Sequence, residues 1–155
     1  MSLQSVLTEL NAKLGQEDPP GPWMTVDQER INRFADATED HQWIHVDPVR
    51  AKKESPYGTT IAHGFLTLSL LPYLTGAVSS GKPTYPGVKL GVNYGLNRVR
   101  FPAPVKVGSR IRTRGKLMEV SEVQGGLQLI REVTVEVEGQ EKPCCVAETI
   151  SRLYF

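Results

Sequence analysis

The first half of the chain carries the apolar period of helices. Leucine and valine recur every three or four residues over 3–14, and a second apolar stripe runs over 26–37. Both patterns predict short amphipathic helices. Thr25 with Gln28 three residues later predicts a capping box at the start of the second helix.

A longer apolar stretch follows. Asp47, directly before a proline, predicts the start of a short third helix that runs to Lys53. The stretch 64–76 is apolar on nearly every side, which predicts a buried helix, and Pro72 is expected to bend this helix or shift its end. The Pro- and Gly-containing segment 79–87 predicts a loop.

The second half alternates between apolar and polar positions, as strands with one buried face do. The predicted strands cover residues 88–92, 97–101, 109–120, 127–138 and 144–155. One face of the third strand is basic and one face of the fourth is acidic, so the two can pair across an antiparallel hairpin. A phosphate site is the other interpretation of the basic stripe.

Helices followed by long strands predict an α+β domain with an antiparallel sheet. We expect this sheet to wrap around the buried helix at about 64–76. A sheet curled around one helix leaves an open edge strand, and such edges commonly pair in a dimer.

Composition narrows the function classes. Eighteen basic and seventeen acidic residues nearly cancel, which argues against a nucleic-acid or membrane-surface binder. The apolar run 64–78 is too short to cross a bilayer and the N-terminus lacks the features of a signal peptide, so a cytoplasmic location is expected. Cys144 and Cys145 show no metal spacing and are expected to be reduced, small apolar residues, so no metal centre is expected.

The candidate chemistry begins with Asp40 and His45. They are expected in a loop between two helices, where a carboxylate and a group that titrates near neutral pH can hold and activate one water molecule. His41, between them, is expected at the surface.

Gly64 supplies the second half of the candidate site. It precedes the predicted buried helix, whose first amide groups lack internal partners and can bind an oxygen that gains negative charge. His63 is expected to be a hydrogen-bonded structural residue. An acid, a histidine and a helix start together suit proton abstraction or water addition next to a carbonyl.

Three segments resemble the MaoC-like dehydratases, the (R)-specific enoyl-CoA hydratases. Residues 34–45 resemble their acid–histidine signature, 61–65 resemble the loop before their central helix, and 94–105 resemble the strand that follows. The resemblance covers about 24–155, and it implies a single hot-dog domain over 1–155 with a short N-terminal helical extension at 1–22. It also implies acyl-thioester substrates and a homodimer.

The resemblance assigns roles residue by residue. Asp40 and His45 match the catalytic acid and histidine, and Gly64 matches the glycine whose amide faces the thioester oxygen. The residues expected to bind substrate are Gln42, Trp43, His63, Phe65, Asn97 and Arg98. Coenzyme A is part of the substrate, and no further cofactor is expected.

Two positions depart from the family pattern. Gln42-Trp43 replaces the usual Asn-Pro, and the same dipeptide occurs in a subset that resembles nodulation-protein-N-like members. Pro72 lies where some members carry a serine, and Ser69 is a candidate stand-in one turn earlier.

The implied activity is syn addition of water to a trans-2-enoyl-CoA, which gives an (R)-3-hydroxyacyl-CoA, or the reverse dehydration. The acyl chain is expected beside the apolar helix, near Phe65, Leu68 and Trp43, unless these residues are plain core. Candidate partners of the coenzyme A phosphates, or else ordinary surface charges, are Lys52, Lys53, Arg98 and Arg100. The alternatives are a hot-dog acyl-CoA thioesterase and a non-catalytic acyl-CoA-binding subunit. The acid–histidine couple favours the hydratase, because a binder has no need for one.

Overall fold

The computed structural model describes residues 2–78, 81 and 83–155. Ser79, Ser80 and Lys82 of the predicted 79–87 loop lie outside the described residues. The helices are α1 (Leu3–Ala12), α2 (Gln28–Thr38), α3 (Trp43–Val46), α4 (Pro48–Glu54), α5 (Gly64–Ser69) and α6 (Leu71–Leu74). The strands are β1 (Met24–Thr25), β2 (Leu90–Arg100), β3 (Arg110–Val123), β4 (Gly126–Val137) and β5 (Cys145–Tyr154).

The strands form one curled antiparallel sheet in the order β1-β3-β4-β5-β2. The α+β prediction is therefore confirmed. The two segments predicted at 88–92 and 97–101 are one strand, β2, which pairs with β5 through two register shifts. Such irregularities break the alternation that a sequence pattern relies on. β2 forms one edge of the sheet.

The β3–β4 hairpin confirms the predicted pairing of a basic and an acidic face. Arg112 lies opposite Glu136 in the register, and its Nε is 2.8 Å from the glutamate Oε2. Arg114 contacts the other carboxylate oxygen. Burial raises the pKa of Glu136, but the two arginines outweigh it and hold the pKa below its ordinary value. The basic stripe is thus a paired charge ladder.

Two helix predictions are corrected. The N-cap of α2 is Asp27, whose side chain accepts a hydrogen bond from the Arg30 N–H, so the capping box with Thr25 is wrong. The predicted single helix at 64–76 is two short helices, with Pro72 in the first turn of α6. Proline has no N–H to donate and cannot continue a helix from within, although it fits a first turn.

The sheet carries two separate apolar clusters. One lies under α5 and α6 and includes Leu66, Leu74 and Val135. The other lies under α1, whose Val6 and Leu10 are completely buried. The N-terminal segment predicted as an extension therefore packs on the sheet. Among the described residues, no helix has the length and apolarity needed to cross a membrane.

Candidate active site

The segment between α2 and α4 brings the acid and the histidine to one end of α5. α2 ends at Glu39, which adopts a left-handed conformation with φ of 63°. Asp40 follows in an exposed turn, and its Oδ1 accepts a long hydrogen bond of 3.4 Å from the Gln42 N–H. His45, expected in a loop, lies instead on the four-residue helix α3.

Gln28, the residue predicted for the capping box, holds α3 in place. Its Nε2 donates to the His45 carbonyl oxygen at 2.7 Å. Its Oε1 accepts from the Thr60 hydroxyl at 2.5 Å, and Thr60 is fully buried. One side chain of α2 therefore fixes the backbone of the candidate histidine, a link that the local motif did not indicate.

His45 is buried, with 7% of its surface exposed. Its Nδ1 lies 2.7 Å from the Ile61 carbonyl oxygen. A carbonyl only accepts, so we assign the proton to Nδ1, which leaves Nε2 as an acceptor. Burial lowers the pKa of His45 below its ordinary value, while the bond to Ile61 opposes this effect. The imidazole is therefore neutral at pH 7.

His63 touches each of the other candidate groups. Its Nε2 donates to the backbone carbonyl oxygen of Asp40 at 2.9 Å. Its ring stacks on His45 with 3.9 Å between centroids, and Phe34 packs against it at 4.9 Å. The Nδ1 of His63 is buried and has no hydrogen-bond partner among the residues that the structure describes. These contacts agree with the structural role expected of His63.

A carboxylate oxygen of Asp40 and one ring nitrogen each of His45 and His63 lie within 4.8 Å of one another. One water that makes two hydrogen bonds of about 2.8 Å spans a gap of this size. The two imidazole planes differ by only 24°, so their lone pairs do not converge on one ion. The geometry suits a bridging water better than a metal, and the absence of a metal centre stays a prediction.

Gly64 is the first residue of α5, after the N-cap His63. The first helical bonds run from the Leu66 and Thr67 N–H groups to the His63 carbonyl. The Gly64 amide has no acceptor among the described residues, as is usual in a first helical turn. A Cβ at this position would lie 2.9 Å from the Phe101 ring. Only glycine fits here without a shift, and its amide stays free to bind an oxygen.

His45 and Gly64 open onto one cleft of about 260 Å³. Its wall also includes Thr67, Phe101 and Cys144. Burial raises the pKa of the Cys144 thiol to about 12, so this group is neutral and is not a nucleophile. The sequence interpretation missed these three wall residues, since no local motif marks a contact that the fold alone creates.

The other predicted substrate-binding residues do not line the cleft. Trp43 lies under the Arg50 guanidinium at 4.4 Å. Phe65 is 67% exposed and meets Phe101 edge-on at 6.0 Å. Asn97 donates to Glu148 at 2.6 Å, and Arg98 lies opposite the same glutamate in the β2–β5 register. Their roles, and that of Gln42, stay predictions.

His41 lies at the surface, as predicted. Its Nε2 is 2.9 Å from the Asp36 carboxylate, which raises the pKa of His41. Asp36–His41 and Asp40–His45 thus have the same spacing, but only the second pair includes a buried imidazole. The exposed Asp36–His41 pair is therefore an internal control for mutations of the candidate site.

A curled sheet around short central helices, with an acid–histidine cluster at a helix start, defines a protein of the hot-dog class. A monoamine oxidase regulatory protein of Archaeoglobus has a similar structure, with a TM-score of 0.76 and 24% identity over 92% of this chain and 90% of that one. An (R)-hydratase from A. caviae is also similar, with a TM-score of 0.69 and 21% identity over 90% and 95% of the two chains. The predicted hot-dog fold is confirmed.

The sequence comparisons give the family. The family model described as a MaoC like domain matches residues 10–140. The 3-hydroxyacyl-thioester dehydratase Z of Mycobacterium tuberculosis is 53% identical over 152 residues, which cover 97% of this chain and 95% of the relative. Nodulation protein N of Rhizobium leguminosarum is 49% identical over 151 residues, 96% of this chain and 91% of the relative. The chain belongs to the MaoC-like dehydratase family, and it is a hydro-lyase of the hydratase/dehydratase type.

Proposed function

We propose that the chain catalyses the reversible hydration of a trans-2-enoyl-CoA to an (R)-3-hydroxyacyl-CoA. The observation that carries this proposal is the grouping of Asp40, neutral His45 and the unbonded Gly64 amide at one helix start. The name of the mycobacterial relative, a 3-hydroxyacyl-thioester dehydratase, supports the substrate class.

Each group has a defined task. The Gly64 N–H donates to the thioester oxygen and stabilises the enolate-like transition state. Asp40 and the Nε2 of His45 hold the water, whose oxygen bonds to C3 while one of its protons passes to this pair. C2 then takes a proton from the same pair. Because both groups act from one face, the addition is syn.

The assay uses crotonyl-CoA and follows the loss of its conjugated thioester absorbance. We expect Asp40→Asn and His45→Gln each to lower kcat by about 100-fold or more, the usual contribution of a general acid or base. Asp36→Asn and His41→Gln, which alter the exposed pair of the same spacing, keep wild-type rates. Equal rates for all four variants would disprove the assignment.

The same assay separates the competing activities. A thioesterase releases free thiol from the acyl-CoA, which a thiol reagent detects, whereas hydration does not. An acyl-CoA-binding subunit gains thermal stability with CoA esters but leaves the absorbance unchanged. The buried, neutral Cys144 and the acid–histidine cluster both favour hydration over thioester cleavage by a thiol.

The proposed enzyme acts as a homodimer that uses no cofactor beyond the coenzyme A of its substrate. In the part of the chain that the structure describes, β2 pairs only with β5, so its other side is a free edge. Leu90, Tyr94 and Leu96 on this strand are between 45% and 57% exposed. A second copy would cover them by edge pairing. We place the enzyme in the cytoplasm, in agreement with its two free cysteines.

A further inference from the structure

The inner face of the sheet is interrupted by polar side chains between its two apolar clusters. Leu129 and Val133 of β4 are both 3% exposed. Arg131 lies midway between them, two residues from each. Side chains two residues apart on a strand point to the same face, so Arg131 points to the inner face. The register places Thr149 of β5 opposite Arg131. A strand pattern that buries leucine and valine thus carries an arginine at its centre.

Polar side chains continue in the neighbouring row of cross-strand residues. Ser151 of β5 lies opposite Leu129 on one side and opposite Asn93 of β2 on the other. We define the polar band as Asn93, Arg131, Thr149 and Ser151. The four residues come from three adjacent strands, and all of them line one cavity of about 710 Å³.

The polar band has unused hydrogen-bonding capacity. The side chains of Asn93, Thr149 and Ser151 make no hydrogen bond to any residue that the structure describes, and Arg131 makes one, from Nη1 to Asp18 at 2.7 Å. Arg131, Thr149 and Ser151 are half-buried and Asn93 is exposed, so these groups are open to solvent or to a ligand in the cavity. Polar groups that converge in a cavity are the usual means of orienting a bound ligand.

The charges indicate which polar group fits. The Asp18 carboxylate neutralises Arg131. The other charged residues of the cavity wall are also paired, Lys116 with Glu132 and Arg114 with Glu136. The polar band therefore offers hydroxyl, amide and guanidinium donors whose positive charge is already neutralised. A carboxylate would have to compete with Asp18. A neutral oxygen, in a hydroxyl or keto group, can bind these donors without displacing it.

The cavity lies along the helices that carry the candidate site. Thr67 of α5 lines the small cleft, and its neighbour Leu68 lines the large cavity. Pro72 and Thr75 continue the cavity wall along α6. α5 and α6 together run from Gly64 to Leu74, so at about 1.5 Å per helical residue they cover at most about 16 Å, the length of a medium-length acyl chain.

We propose that the cavity receives the far part of the acyl chain, and that the polar band selects acyl groups that carry a neutral hydroxyl or keto oxygen several carbons beyond C3. This inference rests on the proposed hydratase function. It explains why a chain-binding cavity contains an inner-face arginine and two unbonded hydroxyl side chains.

The test compares trans-2-decenoyl-CoA with its ω-hydroxy form, each normalised to crotonyl-CoA, which is too short to reach the band. We expect wild-type kcat/KM to be about tenfold higher for the ω-hydroxy substrate, the contribution of one or two hydrogen bonds. The double variant Thr149→Val/Ser151→Ala should abolish this preference. Thr134→Val, on the outer face of β4, should keep it. Equal wild-type values for the two substrates, or a preference that survives in the double variant, would overturn the proposal.

A binding measurement separates this proposal from the hydratase function. If the wild-type protein does not hydrate crotonyl-CoA, the proposed function is wrong. The polar band is then tested by calorimetry with decanoyl-CoA and ω-hydroxydecanoyl-CoA, which need no turnover. About tenfold tighter binding of the hydroxy form, lost in the double variant, supports the band, and equal Kd values refute it.

Discussion

At the residue scale, His63 connects the proposed catalytic groups. Its Nε2 holds the Asp40 carbonyl, its ring stacks on His45, and its own carbonyl begins the hydrogen bonding of α5 directly before Gly64. A residue that is 3% exposed and held on both faces has little freedom to move. The backbone of the acid, the ring of the imidazole and the start of α5 are therefore all in contact with one rigid residue.

Gly64 gives the sharpest steric prediction. Gly64→Ala places a methyl group 2.9 Å from the Phe101 ring, so the ring or the start of α5 must move. Because a donor displaced from an oxyanion loses most of its effect, we expect kcat/KM for crotonyl-CoA to fall by about 100-fold. Adding Phe101→Leu should restore part of this loss. An alanine variant with full activity would exclude the close fit.

The pKa of His45 predicts the acid limit of activity. Burial lowers this pKa below 6.5, so the neutral form persists into mildly acidic solution. We expect the acid limb of kcat/KM to fall below pH 6.5, and NMR titration of His45 to give the same midpoint. The unfolded chain takes up this proton more readily, so stability also decreases as the pH falls below 6.5. A midpoint above 6.5 would contradict the assignment.

At the element scale, α1 completes the second apolar cluster. Leu10 is completely buried, whereas Leu14, one turn later and beyond the end of the helix, is 38% exposed. Leu10→Ala should therefore lower the free energy of unfolding by about 3 kcal/mol. Leu14→Ala is the matched control and should cost well under 1 kcal/mol. Urea denaturation monitored by circular dichroism measures both, and equal effects would mean that α1 is only loosely attached.

The elements also show how far the sequence could be interpreted. β3 up to Leu117 and the facing part of β4 alternate, with opposite charges on one face, so their pairing was predictable from the residues. The capping role of Gln28 was not, because its side chain is used in tertiary bonds to His45 and Thr60. The acid–histidine spacing pointed to the site, but α3 has only four residues, too few to show a helical period.

The inner-face position of Arg131 could have been recognised from the break in alternation between Leu129 and Val133. Its place in the polar band could not be recognised from the sequence, because the band exists only when β2, β4 and β5 are in register. The cleft wall has the same origin: Phe101 and Cys144 line the same cleft as Gly64 but come from different parts of the chain. Sequence patterns specify faces, whereas the contacts between distant faces depend on the assembled fold.

At the scale of the whole molecule, the free edge of β2 predicts the oligomeric state. Leu96 on this strand is 45% exposed and Met118 on β3 is 47% exposed. Leu96→Glu places a charge at the proposed interface and should convert the dimer to a monomer, as measured by light scattering. Met118→Glu alters an equally exposed apolar residue away from that edge and should leave the dimer intact. A wild-type monomer, or a dimer that tolerates Leu96→Glu, would refute edge pairing.

The separation of the two apolar clusters bears on how the molecule opens. Units that share few apolar contacts exchange their amide hydrogens with different protection, because each can unfold locally without the other. We therefore expect the amide hydrogens of the α1 cluster to exchange independently of those in the packing behind Asp40, His45 and Gly64. A core divided into two clusters would let one small domain combine an end that opens locally with an end that stays rigid around the proposed catalytic residues.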